Sequence, residues 1–266
     1  MRTFKSLMIV VCIAVFAVAC AKKTEEAKEK AEGKKVAVAS SMRYGYETDT
    51  YAADGGDLDV VCIGHGTLML DFNDKIIHID PVFRVSPYQY VPKADLILIT
   101  HHHGDHLDTA AISFLSKENT EIIYTELCEK QARGGKIMRN GETITAAGFN
   151  IEAIPAYNIV HKRNSGDPFH IKGEGNGYII SIGGKRVYIA GDTENIPEMK
   201  ALKNIDIAFL PMNLPYTMTP EMVADAAKAF KPNVLYPYHY GDTDPKELVA
   251  LLKDSPDIDV RVRKMR

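Results

Sequence analysis

The run Leu96-Ile-Leu-Ile-Thr100, followed by His101-His-His-Gly-Asp-His-Leu-Asp108, constrains this chain more than any other stretch. The apolar run reads as a buried strand, and it delivers a dense group of histidines and aspartates to one strand end. Side chains alternate along an extended chain, so His101 and His103 face one point while His102 points away. Gly104 lets the chain turn sharply, which brings Asp105 and His106 back within one turn. Imidazole and carboxylate suit zinc, iron or manganese in hydrolytic sites. His101, His103, Asp105 and His106 together exceed the three protein ligands of a typical catalytic zinc, which hints at two adjacent metals. A solvated histidine-rich loop would look similar in isolation, so the rest of the chain has to decide.

The 266-residue chain opens with MRTFKSLMIVVCIAVFAVAC. Arg2 and Lys5 precede a short apolar core that ends in small residues, the pattern of a secretory signal over residues 1–19. That core is too short for a membrane-spanning helix. Ala17-Val-Ala-Cys20 resembles a bacterial lipobox, which implies cleavage before Cys20 and lipid on its thiol. Residues 20–54 then read as a lipidated cysteine and a charged tether, because AKKTEEAKEKAEGKK has too few apolar side chains to bury a face. The expectation is an exported protein, lipid-anchored to a bacterial membrane on its periplasmic or extracellular face. Loss of Arg2 and Lys5 with the signal takes the formal charge from -3 to about -5, so there is no basic footprint for nucleic acid. Oligomeric state leaves no mark in the sequence.

From residue 55 to 266 short apolar runs alternate with turn signals, the pattern of one folded domain. Strands are expected at 58–63, 67–72, 75–80, 96–100, 120–124, 149–155, 176–182, 186–190, 206–211, 233–238 and 258–263. Gly183-Gly184 is a two-residue hairpin signal between two of them. Helices are expected at 108–117, 125–133, 195–203, 219–230 and 245–254; Thr219-Pro220 is a good helix start, and Asp108 reads as a helix cap rather than a ligand. Strand-rich then alternating segments suit an α/β (α+β) fold in which two sheets pack together under outer helices. Cys62 and Cys128 could pair in an exported protein, but the apolar setting of Cys62 favours buried free thiols.

His101-x-His103-x-Asp105-His106 after an apolar strand resembles the signature of the metallo-β-lactamase fold superfamily. Gly64-His-Gly66, Ile77-His-Ile-Asp-Pro81, Ile189-Ala-Gly-Asp-Thr193 and Tyr236-Pro-Tyr-His-Tyr240 match its other segments in order, over residues 58–242. The chain looks most like the ascorbate-6-phosphate lactonase-like group, itself akin to the N-acyl-phosphatidylethanolamine phospholipase D-like enzymes. The resemblance implies a four-layer αββα sandwich with the metal site at the edge between its sheets. It also implies two divalent metal ions, zinc first, with manganese or iron as alternatives. By the same resemblance His101 and His103 bind one ion, Asp105, His106 and His239 bind the other, and Asp192 bridges both. A third histidine for the first ion has to come from the loop after Ile154-Pro-Ala-Tyr-Asn158, where His161 and His170 are both candidates; His170 is chosen because it adjoins the next strand.

The chemistry implied is hydrolysis by a metal-bound hydroxide, with Asp105 and Asp192 as the catalytic carboxylates and Asp105 able to shuttle a proton. His65 and Asp80 are expected to orient ligands from behind, His78 to be structural and Tyr236 to pack. Asn213 could touch substrate or simply pack. The substrate is a small ester, lactone or similar molecule, or alternatively a phospholipid-like phosphodiester. A non-catalytic metal-binding lipoprotein is the rival of a different class. The absence of cysteine at 192 argues against β-lactam hydrolysis of the usual zinc type.

Overall fold

The computed structural model describes residues 38–266, so the expected signal segment, Cys20 and the expected tether up to residue 37 lie outside the described residues. The first sheet runs in spatial order through β1 (Val38–Arg43), β2 (Tyr46–Ala53), β3 (Gly56–Gly64), β4 (Thr67–Phe72), β5 (Lys75–Ile79), β6 (Leu96–Leu98), β7 (Glu121–Tyr124) and β8 (Lys136–Ile137). It is antiparallel up to β5 and parallel from β5 to β8. The second contains β9 (Thr143–Ala146), β10 (Phe149–Ala156), β11 (Gly175–Ile182), β12 (Lys185–Ile189), β13 (Ile207–Pro211), β14 (Val234–Tyr238) and β15 (Asp259–Val260). Here the pairing is antiparallel from β9 to β12 and parallel from β12 to β15. The helices are α1 (Thr109–Leu115), α2 (Pro197–Lys200), α3 (Pro220–Phe230) and α4 (Pro245–Leu251).

Alternation of side chains along the strands fixes the layering. Val61, Met69, Ile97 and Ile99 pack with Ala111, Ile112 and Leu115 of α1 on one side of the first sheet. Tyr188, Ala208, Leu210 and Leu235 pack with residues of α2, α3 and α4 on one side of the second. The intervening positions, Leu68, Leu70, Ile77, Leu96 and Leu98 from one sheet and Tyr178, Ile180, Val187, Phe209 and Tyr236 from the other, are fully or almost fully buried, and therefore fill the space between the sheets. Hydrogen bonds cross that space: Tyr178 Oη donates to Ile99 O (2.8 Å) and Asn176 N to Thr100 O (2.9 Å). The result is the expected helix–sheet–sheet–helix sandwich. Strands buried on both faces explain why residues 60–63 of β3 and the whole of β14 read as uninterrupted apolar and aromatic runs.

Local chemistry sets several boundaries. Gly183 and Gly184 adopt φ of +50° and +74° in the tight turn joining β11 to β12. Thr219 caps α3 by accepting from Met222 N, Pro220 follows at its first position, and Asp108 caps α1 by accepting from Ala110 N and Ala111 N.

The structure corrects four expectations. Residues 38–53, expected as tether, form β1 and β2, so folded structure is already present at residue 38, ahead of the expected start at 55. Buried Asp49 in β2 is paired at 2.8 Å by Arg263, 214 residues later, and no local pattern signals that. The helix expected over 125–133 is a three-residue 3-10 turn, Cys128–Lys130, because the chain soon turns into β8 with Gly135 N donating to Tyr124 Oη. The helix expected over 195–203 shortens to α2, and the strand over 258–263 to β15, beyond which Arg261 and Arg263 turn towards Asp49. Cys62 and Cys128 are both buried and free.

Candidate metal centre

Nearly every polar side chain of the centre hangs from the C-terminal end of a strand. Asp80 follows β5, His101 closely follows β6, Asp192 closely follows β12 and His239 follows β14. These are parallel strands, and the crevice outside their carboxyl ends is where open α/β sheets place ligands. His65, Asp80 and His239 have φ of +51°, +46° and +46°, a left-handed turn that re-aims each side chain at the strand exit. Such backbone costs roughly 1–3 kcal/mol per residue, and a surrounding network has to hold it.

The donors fall into two groups that meet at Asp192. His101, His103 and His170 present ring nitrogens within 4.8 Å of one another, and ring nitrogens of His65, His106 and His239 lie equally close together with a carboxylate oxygen of Asp105. Asp192 Oδ2 lies 3.2 Å from His170 Nε2 and 3.9 Å from His101 Nε2. Its Oδ1 lies 3.4 Å from His106 Nε2 and 3.6 Å from His239 Nε2. Asp105 Oδ2 closes the second group, 3.5 Å from His239 Nε2 and 3.3 Å from His65 Nε2. One carboxylate thus faces both clusters, one oxygen to each.

Whether these residues fit metal ions can be tested on their unused atoms. His106 Nε2, His239 Nε2 and Asp192 Oδ1 are buried, converge on one point and have no hydrogen-bond partner. Leaving three such atoms dry and unpaired is costly, and a cation among them removes that cost. Their opposite ring atoms are held: His106 Nδ1 lies 2.8 Å from Asp80 Oδ2, and His170 Nδ1 lies 2.8 Å from Asn158 Oδ1. His101 Nδ1 lies 3.0 Å from Thr100 Oγ1, and His239 Nδ1 lies 3.3 Å from Asn213 Nδ2. Partners of this kind aim an imidazole and set which nitrogen is free to bind.

Electrostatics agree with that reading. Burial pulls His106 down, but Asp192, then Asp80 and Asp105, outweigh it and push its pKa up to about 9. Burial and then the neighbouring His106 hold His101 well below the usual imidazole range, and burial with His170 brings His103 to about 4. Burial would raise Asp192, yet the His239 and His106 imidazoles keep it well below the ordinary carboxylate range. A bound cation replaces the protons that this histidine-rich cluster otherwise contests.

A cleft of about 420 Å³ opens over the centre, with Asp105, Asp192, His239, Phe169, Tyr216 and Arg163 among its walls. Of the two carboxylates that line it, Asp105 faces it more openly, with its side chain 32% exposed against 5% for Asp192. The structure therefore brings together His101, His103, Asp105, His106, His170, Asp192 and His239, with His65 and Asp80 against them. His161 is elsewhere: its Nδ1 lies 2.7 Å from Glu194 Oε1. His102 stays outside the donor groups, and Asn213 lines the cleft.

Three contributors escape sequence reasoning. Asn158 and Glu194 form a support reaching His170, since Glu194 Oε1 accepts from Asn158 Nδ2 at 3.0 Å. Their partnership is tertiary; the sole local hint is an acid two residues after Asp192. Gly66 is the third, and its place beside His65 in Gly-His-Gly was the available signal. A Cβ there would lie 2.8 Å from His106 Cε1 and 3.1 Å from its Nδ1. Gly66→Ala is therefore expected to displace His106 and weaken metal binding by about 10–100-fold, the usual effect of disturbing a ligand's support. Zinc affinity measured by chelator competition checks this; unchanged affinity would show that the ring can yield without consequence.

A protein-family model described as a beta-lactamase superfamily domain matches residues 59–239. A protein from Pelotomaculum thermopropionicum called a UPF0173 metal-dependent hydrolase is 29% identical, over 77% of this chain and 96% of its own length. One of the same description from Thermococcus kodakarensis is 31% identical, over 74% of this chain and 92% of its own. Among solved structures, a candidate metal-dependent hydrolase from Parabacteroides distasonis is 50% identical, with a TM-score of 0.79, over 83% of this chain and all of its own. A metallo hydrolase from Ignicoccus hospitalis is 27% identical with a TM-score of 0.64, over 78% of this chain and 95% of its own.

Proposed function

Because this chain belongs to the metallo-β-lactamase superfamily, within its UPF0173 metal-dependent hydrolase family, we propose that it hydrolyses a small ester or lactone at a two-metal centre. His101, His103, His170 and Asp192 Oδ2 would hold one ion, and Asp105, His106, His239 and Asp192 Oδ1 the other, with zinc the first choice for both. The observation that carries this reading is the set of buried, partnerless atoms on His106, His239 and Asp192, directly under an open cleft. Divalent ions held there would supply a lowered pKa for water and polarisation of a substrate oxygen. The chain's own residues do the rest. Asp105, the most exposed carboxylate of the group, can take a proton at the oxygen that does not face His239 and return it to the leaving group. His65, 3.3 Å from Oδ2, keeps the carboxylate aimed.

A second reading, a phosphodiesterase for phospholipid-like substrates, draws support from the cleft's surroundings. Ile159, Val160, Leu214 and Tyr216 are exposed on the two segments that carry cleft residues and would suit acyl chains. A non-catalytic metal carrier fits less well, since it has no use for a cleft beside an exposed Asp105. Metal counting by mass spectrometry, followed by turnover assays on zinc-loaded protein, separates the three. Two ions per chain and turnover of 4-nitrophenyl esters or lactones are expected; one ion, or turnover of phosphodiesters alone, would overturn the leading reading.

We place the mature chain on a membrane through lipid on Cys20. Cys20→Ser should then move the protein from the membrane to the soluble fraction of its host, and a variant that stays membrane-bound would refute the anchor.

A further inference from the structure

We propose that Arg163 selects substrates bearing an anionic group, a carboxylate or a phosphate, set beside the bond that is cleaved. This rests on the hydrolase reading above and names the substrate class for the same site.

Among the described residues, Arg163 is the sole lysine or arginine in the cleft's walls. Its guanidinium is already fixed on one side: Nη2 donates to Phe169 O at 3.1 Å, and its carbon sits 5.1 Å over the Phe169 ring. Phe169 packs edge-on against Tyr216, with ring centres 5.0 Å apart. A guanidinium carries five N–H donors in a planar fork, so this anchoring leaves most of them free. Among the described residues no carboxylate forms an ion pair with it. A held, unfilled fork over a reaction centre matches the two-oxygen geometry of carboxylate or phosphate.

The loop that carries Arg163 is built to hold it. Arg163 N donates to Asp167 O at 2.7 Å and Gly166 N to Arg163 O at 2.9 Å, closing a tight turn. Behind the turn, Glu194 has no solvent exposure and accepts from the N–H groups of Ile159, Val160 and His161 at 2.6, 2.6 and 2.7 Å. At the other end Asn158 Oδ1 accepts from His170 N at 2.8 Å. The segment is thus clamped on both flanks, which holds the Arg163 turn in the wall of the cleft that Asp105 and Asp192 also line. The chain as a whole carries a charge of -3, and against that background a local cation at the mouth draws anions to the cleft.

The test separates the anion site from the chemistry. Binding of glutarate and of glycerol 3-phosphate to zinc-loaded protein is measured by calorimetry in wild type, Arg163→Gln and Arg163→Lys, with zinc content checked in each. Charge-assisted hydrogen bonds predict that Arg163→Gln weakens at least one of the two anions by about tenfold or more. Arg163→Lys should recover part of that loss, and the anion more affected identifies the group as carboxylate or phosphate. In parallel, the ratio of kcat/KM for mono-4-nitrophenyl glutarate to that for neutral 4-nitrophenyl butyrate should fall about tenfold in Arg163→Gln. Failure of wild type to bind either anion, or equal binding by wild type and Arg163→Gln, overturns the proposal. If wild type binds anions through Arg163 but turns over no ester, lactone or phosphodiester, the hydrolase reading fails while the anion site stands.

Discussion

Asp192→Asn is expected to cost this protein at least one bound metal and to lower kcat/KM by about 10³-fold or more. The reason lies in how the two oxygens are shared. Oδ2 faces His170 and His101, while Oδ1 faces His106 and His239. An amide keeps the shape but supplies one oxygen, so one cluster keeps its acceptor and the other meets an NH2 group. Losing a metal's share of charge stabilisation removes several kcal/mol from the transition state, which sets the size of the loss. The variant should fold, since the side chain's volume is unchanged and its neighbours are polar. Metal content by mass spectrometry and turnover of the best substrate are measured on the same preparation. A full metal count with activity within about threefold of wild type would show that Asp192 does not join the two clusters.

The parts of this site that the sequence makes legible are those whose geometry is local. His101, His103, Asp105 and His106 lie on one strand exit, and the period of an extended chain is enough to separate them from His102. Asp192 and His239 lie far off in sequence, and only the resemblance of their surrounding segments links them to the first group. His170 is distinguished from His161 by its place beside β11, and the structure sends the two rings to different partners. What stays hidden is support that forms on closure of the fold: Glu194 beneath the 158–161 backbone, Gly66 against the face of His106, Arg263 reaching Asp49. The same holds for β1 and β2. Their residues look like tether because the charge they bury is neutralised by the far end of the chain.

Asp80 carries the second large effect, and pH exposes it. Its carboxylate is fully buried and accepts from Thr100 N at 2.7 Å and Thr100 Oγ1 at 2.6 Å, with His106 Nδ1 2.8 Å away. Asp80→Ala strands those donors in the interior and is expected to destabilise the fold by about 3–5 kcal/mol, the usual cost of removing one partner of a buried charged pair. Asp80→Asn keeps the volume and tests the electrostatics in a chain that still folds. In metal-free wild type the folded pKa of His106 is raised to about 9, above its unfolded value of about 6.5. A raised folded pKa means stability that is fully present below about pH 6.5 and lost as pH climbs through about 9. Thermal unfolding of the metal-free protein should therefore show Tm falling across that window, and Asp80→Asn, which removes one cause of the shift, should flatten the fall. Zinc has to displace the same proton. Titration at pH 7.5 in buffers of different ionisation enthalpy should release more protons from wild type than from Asp80→Asn, with zinc affinity lower in the variant by about 10–100-fold. Equal proton release and equal affinity in the two proteins would mean that Asp80 does not govern the charge on His106.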